Sequence, residues 1–212
     1  MKKNTLKATA YQMIKERIVN CQYMPNTFLN EASISTELGM SRTPIREALG
    51  ILELENLVKI YSKRGVLVTD ISASEVTEIF QVRLLLEPHI ILAHGQSIDQ
   101  RKLLDIKYQL ERQALSGEEK NFAIDHDIHS LIIASSNNRY FISVINNIYD
   151  QNHRLRVLSG QKSGERMDAT VKEHIAIVDC LLKGDKEGAA EAMKTHLGNS
   201  RAAALKGLLT LQ

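Results

Sequence analysis

Tryptophan is absent from the 212-residue chain, proline occurs three times (Pro25, Pro44 and Pro88), and aromatic residues make up 5% of the total. Both scarcities fit a helix-rich chain. Cysteine is rarer still. Cys21 and Cys180 form no Cys-x-x-Cys pair and lack an obviously basic setting. A structural disulfide and a redox-sensing thiol are therefore poor readings, and buried small hydrophobes are the better one. No apolar run approaches the roughly 18 residues that a membrane span needs, and the amino terminus is not signal-like. The expectation is a soluble protein of a reducing cytoplasm, with no membrane partner. Repeats and low-complexity tracts are missing, and the formal net charge of +2 is too small to indicate nucleic acid by itself.

What is present begins with a change of pattern after Asp70. Residues 1–70 hold 10 Lys and Arg against 7 Asp and Glu, and the remainder holds 17 against 18, so the small basic excess lies at the amino-terminal end. Two domains are expected, 1–70 and 71–212. Within the first, Ser41-Arg42-Thr43-Pro44-Ile45-Arg46-Glu47-Ala48-Leu49 reads as a helix start. Pro44 is tolerated in a first turn, where its missing N–H is not needed, and Ser41 or Thr43 supplies a capping oxygen. Upstream, Glu31 to Leu38 carries Ala32, Ile34 and Leu38 on one side, and Gly39 suits the left-handed turn that stops a helix. In the second helix Ile45, Leu49, Leu52 and Leu57 fall near one stripe, with Arg42, Thr43 and Arg46 on the other side of its amino-terminal end. Free N–H groups, helix dipole and arginine forks there suit phosphate and guanine in a major groove. Val58 to Thr69 then alternates as a short hairpin around Ser62-Lys63-Arg64-Gly65, with Lys63 and Arg64 at the tip and Gly65 supplying a positive φ.

From Ile71 onward, periodicity and breakers predict helices at about 72–95, 98–115, 118–136, 138–160, 165–183 and 185–208, an all-α bundle. Pro88 falls inside the first and predicts a kink or a lost hydrogen bond near Leu84 to Leu86. Asp125 and His129 are four residues apart, so a carboxylate and an imidazole share one helical face. His174 and His196 come from the two last helices. Converging helices would make these four a site for Zn, Ni, Mn or a similar divalent ion, the ligand types being too mixed to choose. The competing reading is that each histidine is a surface or hydrogen-bonded core residue. His153, Arg154 and Arg156 lie on a long helix whose charges are expected to face solvent.

Residues 8–70, through Phe28-Leu29-Asn30-Glu31-Ala32, Leu38 to Leu49 and Arg64-Gly65-Val66, resemble the winged helix-turn-helix of GntR-family bacterial transcription regulators. Residues 71–208 resemble the FadR C-terminal (FCD) effector domain, through Arg83-x-x-Leu-Glu87, Asp125-x-x-x-His129, Ser135-Ser136-Asn137, Glu173-His174 and His196. The resemblance implies operator contacts at Arg42, Thr43 and Arg46, with Gly65 in the wing. It also implies a divalent metal on Asp125, His129, His174 and His196, with open coordination positions for a small organic acid. Arg83 is the candidate cation for that acid and Asn137 its polar partner. The implied protein is a homodimeric, ligand-responsive regulator, a repressor by the family's commoner habit, and not an enzyme. The chain departs from the pattern at Ala32-Ser33-Ile34-Ser35, which lacks an early basic residue, and at Ile128, where an aromatic often precedes the histidine. Two other readings stand beside it. In one, the metal ion itself is the signal. In the other, His94, His126, Asp127 and Asp179 faintly resemble the ligand pattern of helical HD-type phosphohydrolases.

Overall fold

The computed structural model describes residues 5–115, 123–158 and 164–209. Two compact units divide the chain: residues up to Ser72 together with Asp150–Leu158, and Ala73–Tyr149 together with the residues after Leu158.

The first unit starts with α1 (Leu6–Val19), capped by the Thr5 hydroxyl, which accepts from the Ala8 amide. A two-residue strand β1 (Phe28–Leu29) leads into α2 (Glu31–Leu38) and α3 (Arg42–Leu54). Gly39 takes φ 63° between those two helices, as its position predicts. Ser41 occupies the N-cap position of α3, although its side chain makes no capping hydrogen bond among the described residues. Pro44 lies buried in the first turn. Helix α3 ends at Leu54, so Leu57 lies beyond the helix to which the apolar stripe assigned it, yet it is fully buried. Ala10, Ile14 and Ile18 of α1 close on Ile45, Ala48, Leu49 and Leu52 of α3, with Ile34, Leu57 and Val66 completing one core.

Strands β2 (Val58–Tyr61) and β3 (Gly65–Val68) form the hairpin, pairing Val58 with Val68 and Tyr61 with Gly65. The hairpin is the expected one, but β1 adds itself antiparallel to the far side of β3, Phe28 opposite Leu67, giving the order β1-β3-β2. A two-residue strand is too short to show alternation, which is why periodicity does not reveal it. At the tip the Arg64 amide donates to the Tyr61 carbonyl at 3.2 Å, with Lys63 at φ 69° and Gly65 at φ 102°. A Cβ on Gly65 would stand 2.6 Å from the Leu29 carbonyl oxygen, so close approach as well as φ requires glycine there.

The second unit is all helix: α4 (Ala73–His94), a 3-10 turn at Gly95–Ser97, α5 (Gln100–Leu115), α6 (Ala123–Ser135), α7 (Arg139–Leu158), α8 (Gly164–Leu182) and α9 (Lys186–Leu209). The Ser116-Gly117 and Ser159-Gly160 breaks lie outside the described residues. Asp99, Asn138 and Asp185 accept amides at the starts of α5, α7 and α9. Helix α9 packs on α4 and α8, α5 on α8, and α6 on α4 and α5. Helix α4 continues through buried Pro88, so the amide that would reach the Leu84 carbonyl is missing without ending the helix. Helix α7 contributes its stretch Asp150–Leu158 to the first unit. There Arg154 is fully buried, contrary to the expectation of a solvated charge, because its guanidinium donates to the Thr69 carbonyl, the Thr69 hydroxyl and Gln151 Oε1.

Candidate metal centre and nucleic-acid interface

Four helices of the second unit interrupt their buried apolar stripes with polar residues. On α4, Val76, Phe80 and Ile90 flank Arg83 and Glu87, spaced by three and four residues so that all face inward. On α6, Asp125 and His129 stand with Ile128, Ile132 and Ile133; on α8, His174 stands with Val171 and Val178; on α9, His196 stands with Met193 and Leu197. Burying so many polar groups is unfavourable unless they meet one another.

They do meet. One ligand atom from each of Asp125, His129, His174 and His196 lies within 4.8 Å of the others, and all four residues are buried. His174 Nε2 is 3.2 Å from His196 Nε2 and 3.5 Å from Asp125 Oδ1. Two donors sharing one ion at metal–ligand distances of about 2.0–2.2 Å stand roughly 3 to 3.5 Å apart, so three imidazoles and a carboxylate at this spacing fit a divalent cation. Among the described residues no other group of three or more His, Cys, Asp or Glu meets this test. The HD-type alternative fails on the same geometry: His126 and Asp127 are exposed, and Asp179 is engaged by Lys107 at 2.6 Å.

Around the four candidate ligands lies a shell of partners. Glu87 accepts from Arg83 Nε at 2.7 Å through Oε1 and from His129 Nδ1 at 2.5 Å through Oε2. Burial alone would raise the Glu87 carboxyl, but the neighbouring Arg83 charge and the hydrogen bonds from His129 and Arg83 outweigh it and hold it at about 2. Arg83 Nη2 approaches His129 Nε2 at 3.2 Å, while Arg83 Nη1, buried, has no hydrogen-bond partner among the described residues. The guanidinium lies over the rings of Phe80 and Tyr149, 5.5 and 5.2 Å from their centroids. On the other side Glu173 accepts from His196 Nδ1 at 2.8 Å, from Arg166 at 2.9 and 3.0 Å and from Asn199 at 2.7 Å. Burial raises that carboxyl too, and the hydrogen bonds from His196, Arg166 and Asn199 carry it down to about 2. His196 itself is lowered to about 4, chiefly by burial, against the opposing effect of the hydrogen bond it donates to Glu173.

Of the residues expected at the effector site, Arg83 is brought to the cluster and Asn137 is not. Asn137 is exposed at the end of α6, in a left-handed conformation at φ 47° that turns the chain toward α7. His129 lies eight positions earlier in the chain, and helix α6 ends at Ser135, between the two. Motif and periodicity assign no role to Glu87, Glu173, Tyr149 or Arg166. The four-residue spacing of Arg83 and Glu87, and the seven-residue spacing of Arg166 and Glu173, were the available signals, since both place a pair on one helical face.

In the first unit the picture reverses. Arg42, Thr43 and Arg46 are exposed at the amino-terminal end of α3, whose Ile45 and Leu49 are buried. Arg46 Nε pairs with Glu31 Oε2 at 2.6 Å while 64% of its side chain stays exposed. Lys63 and Arg64 are exposed at the hairpin tip, and Gly65 is half-buried behind them.

Comparison with known proteins finds two family models that match successive parts of the chain. A model described as the FCD domain matches residues 78–199, and one described as bacterial regulatory proteins, gntR family, matches residues 6–68. The chain is 27% identical over 194 residues to an uncharacterized HTH-type transcriptional regulator, YdhC, of Bacillus subtilis (strain 168), covering 89% of this chain and 86% of the relative. It is 26% identical over 191 residues to the HTH-type transcriptional repressor RspR of Escherichia coli (strain K12), covering 88% and 83%. Among solved structures, the Zn2+-bound FCD domain of the transcriptional regulator TM0439 aligns with a TM-score of 0.58 at 28% identity, covering 66% of this chain and 99% of that one; its metal-free form scores 0.59.

Proposed function

Since this chain belongs to the FCD-domain regulators of the bacterial gntR family and is a DNA-binding transcriptional regulator, we propose that it represses transcription as a homodimer whose helical domain senses a small organic acid through a bound divalent metal ion. The observation that carries this reading is the buried Asp125, His129, His174 and His196 set beside Arg83, whose Nη1 is a buried donor without a partner among the described residues. The Zn2+-bound state of the TM0439 domain favours the same use of the set here. When bound, the ion supplies a Lewis-acidic position that a carboxylate oxygen can occupy. Charge supports an anion. Buried Arg83, Glu87 and Asp125 sum to −1 with neutral imidazoles, a divalent ion makes this +1, and a monocarboxylate restores neutrality in a region where uncompensated charge is unfavourable.

At the other end, Arg42, Thr43 and Arg46 are assigned to the major groove, and Lys63, Arg64 and Gly65 to backbone or minor-groove contact by the wing. A homodimer would set two such ends against the half-sites of a near-palindromic operator. The acid acts by binding one dimer geometry better than another, by roughly 1 to 3 kcal/mol for a typical coupling. The test is metal analysis of the purified protein beside His174→Ala, with thermal shifts against a panel of small carboxylates. Near-stoichiometric metal, lost in the variant together with any carboxylate-induced stabilisation, is the expected result. Absence of metal and of any shift in the wild type would sink the reading.

A further inference from the structure

The imidazoles of the metal set differ in what holds them. His129 and His196 each turn Nδ1 toward a glutamate, Glu87 at 2.5 Å and Glu173 at 2.8 Å, and each glutamate is also bound by an arginine. A carboxylate ionised against a guanidinium can only accept hydrogen bonds, so the imidazole proton must sit on Nδ1. That leaves Nε2 of both rings with a lone pair: His196 Nε2 stands 3.2 Å from His174 Nε2, and His129 Nε2, another atom of the buried set, meets Arg83 Nη2 at 3.2 Å.

We propose that Glu87 and Glu173 are the positioning residues of the metal centre, each fixing one ligand histidine as the Nδ1–H tautomer and aiming its Nε2 at the ion. The inference rests on the metal-anchored reading above and adds to it residues that touch no metal. Glu173 is fully committed: Oε1 takes Arg166 Nη1 and Asn199 Nδ2, and Oε2 takes Arg166 Nη2 and His196 Nδ1. Its ring partner cannot rotate without breaking a carboxylate held from two sides. Glu87 does the same for His129 from α4, a helix that supplies no ligand of its own. Through the one carboxylate, Arg83 Nε and His129 Nδ1 are joined, so the side chain assigned to the acid and a ligand of the ion share a support.

Zinc affinity of the full chain, read by competition with a chromophoric chelator, tests this in wild type, Glu173→Gln and Asn199→Ala. Side-chain 15N spectra of the histidines in zinc-free protein report the tautomers alongside. The expected result is stoichiometric zinc in the wild type, about ten- to a hundredfold weaker binding in Glu173→Gln, a smaller loss in Asn199→Ala, and a shift of His196 away from the Nδ1–H form only where Glu173 is changed. Wild-type affinity in Glu173→Gln overturns the inference while leaving the metal reading intact. So does weakened binding with the His196 tautomer unchanged, which would reduce Glu173 to packing. A wild type that binds no zinc removes the metal reading itself, and the inference with it. Should Glu173→Gln fail to fold, Asn199→Ala decides: it touches the carboxylate and no ligand ring, so unaltered zinc binding there overturns the assignment.

Discussion

Arg46 keeps 64% of its side chain in solvent and Arg83 keeps 1%, and each is paired with a glutamate at 2.6 or 2.7 Å. The pairs look alike in a contact diagram but differ physically. Arg46 and Glu31 sit in high dielectric, where such a pair contributes about 0 to 1 kcal/mol and the guanidinium is free to exchange its partner for a phosphate or a base. Arg83 and Glu87 have given up their hydration, so each holds the other in place and neither can be removed alone. One unit keeps the charges proposed to meet DNA outside a finished apolar core; the other builds those proposed to serve the metal and the acid into its core. On that proposal function and stability are separable in the first unit and joined in the second.

Arg83→Ala offers the largest break of this contrast. It strands the Glu87 carboxylate and should cost about 3–5 kcal/mol in urea unfolding, whereas Arg46→Ala should move stability by no more than about 0.5 kcal/mol. Equal effects of the two substitutions would erase the distinction. Acidification sharpens it next, in chelator-treated protein. His196 is held near 4 against an ordinary 6.5, so between those pH values the unfolded chain binds the extra proton. Stability present above pH 6.5 is then lost on descent to pH 4, by about 3 kcal/mol. Glu87 and Glu173, held at about 2 against 4.5, extend the loss below pH 4.5. Lys15 of the first unit is shifted the other way. Burial lowers it, but its hydrogen bonds with Asp150, Tyr11 and Glu55 prevail. Its contribution is complete below its ordinary 10.5 and is lost only as strong alkali passes the raised value. Urea midpoints followed across pH would show acid loosening the second unit first.

Smaller effects belong to DNA. Arg42→Ala or Arg46→Ala should weaken operator binding by about 1–3 kcal/mol and flatten preference at one operator position, with unfolding unchanged. Lys63→Ala should weaken all sequences alike and lower the salt slope by about one. Binding isotherms on matched and scrambled operators at several salt concentrations separate the two, and no change at any of the three positions would mean that the charges of this end are only solvated.

Legibility in the sequence follows the same division. The helix-turn-helix is a local object: Gly39, Ser41, Pro44 and the stripe through Leu52 act within a few residues of themselves, and elements and exposed arginines alike could be read in order. The metal set was half legible, because Asp125 and His129 share a helix face at four-residue spacing, whereas His174 and His196 join them only through packing of α8 and α9. What stayed hidden is long-range. Glu87 finds His129 across 42 residues, and Arg154 finds Thr69 across 85. Periodicity marks Arg154 as one more charge on a long helix and cannot show that a strand end supplies a carbonyl for it. Asn137 is a different case: its place in the motif suggests a ligand contact, and what the structure adds is the left-handed backbone with which it turns the chain after α6.

That same Arg154 bears on how far the DNA-reading end is an autonomous folding unit. Lys15 pairs with Asp150 at 2.6 Å, Gln151 reaches the Asn56 carbonyl, and the Arg154 guanidinium holds the Thr69 carbonyl at the close of the hairpin. A fragment ending at Ser72 contains every residue of the helix-turn-helix and its wing but none of these three partners. Domain dissection at that boundary would leave Lys15 without one of its two carboxylates and the Thr69 carbonyl without its donor, because the compact unit that carries the helix-turn-helix is discontinuous along the chain.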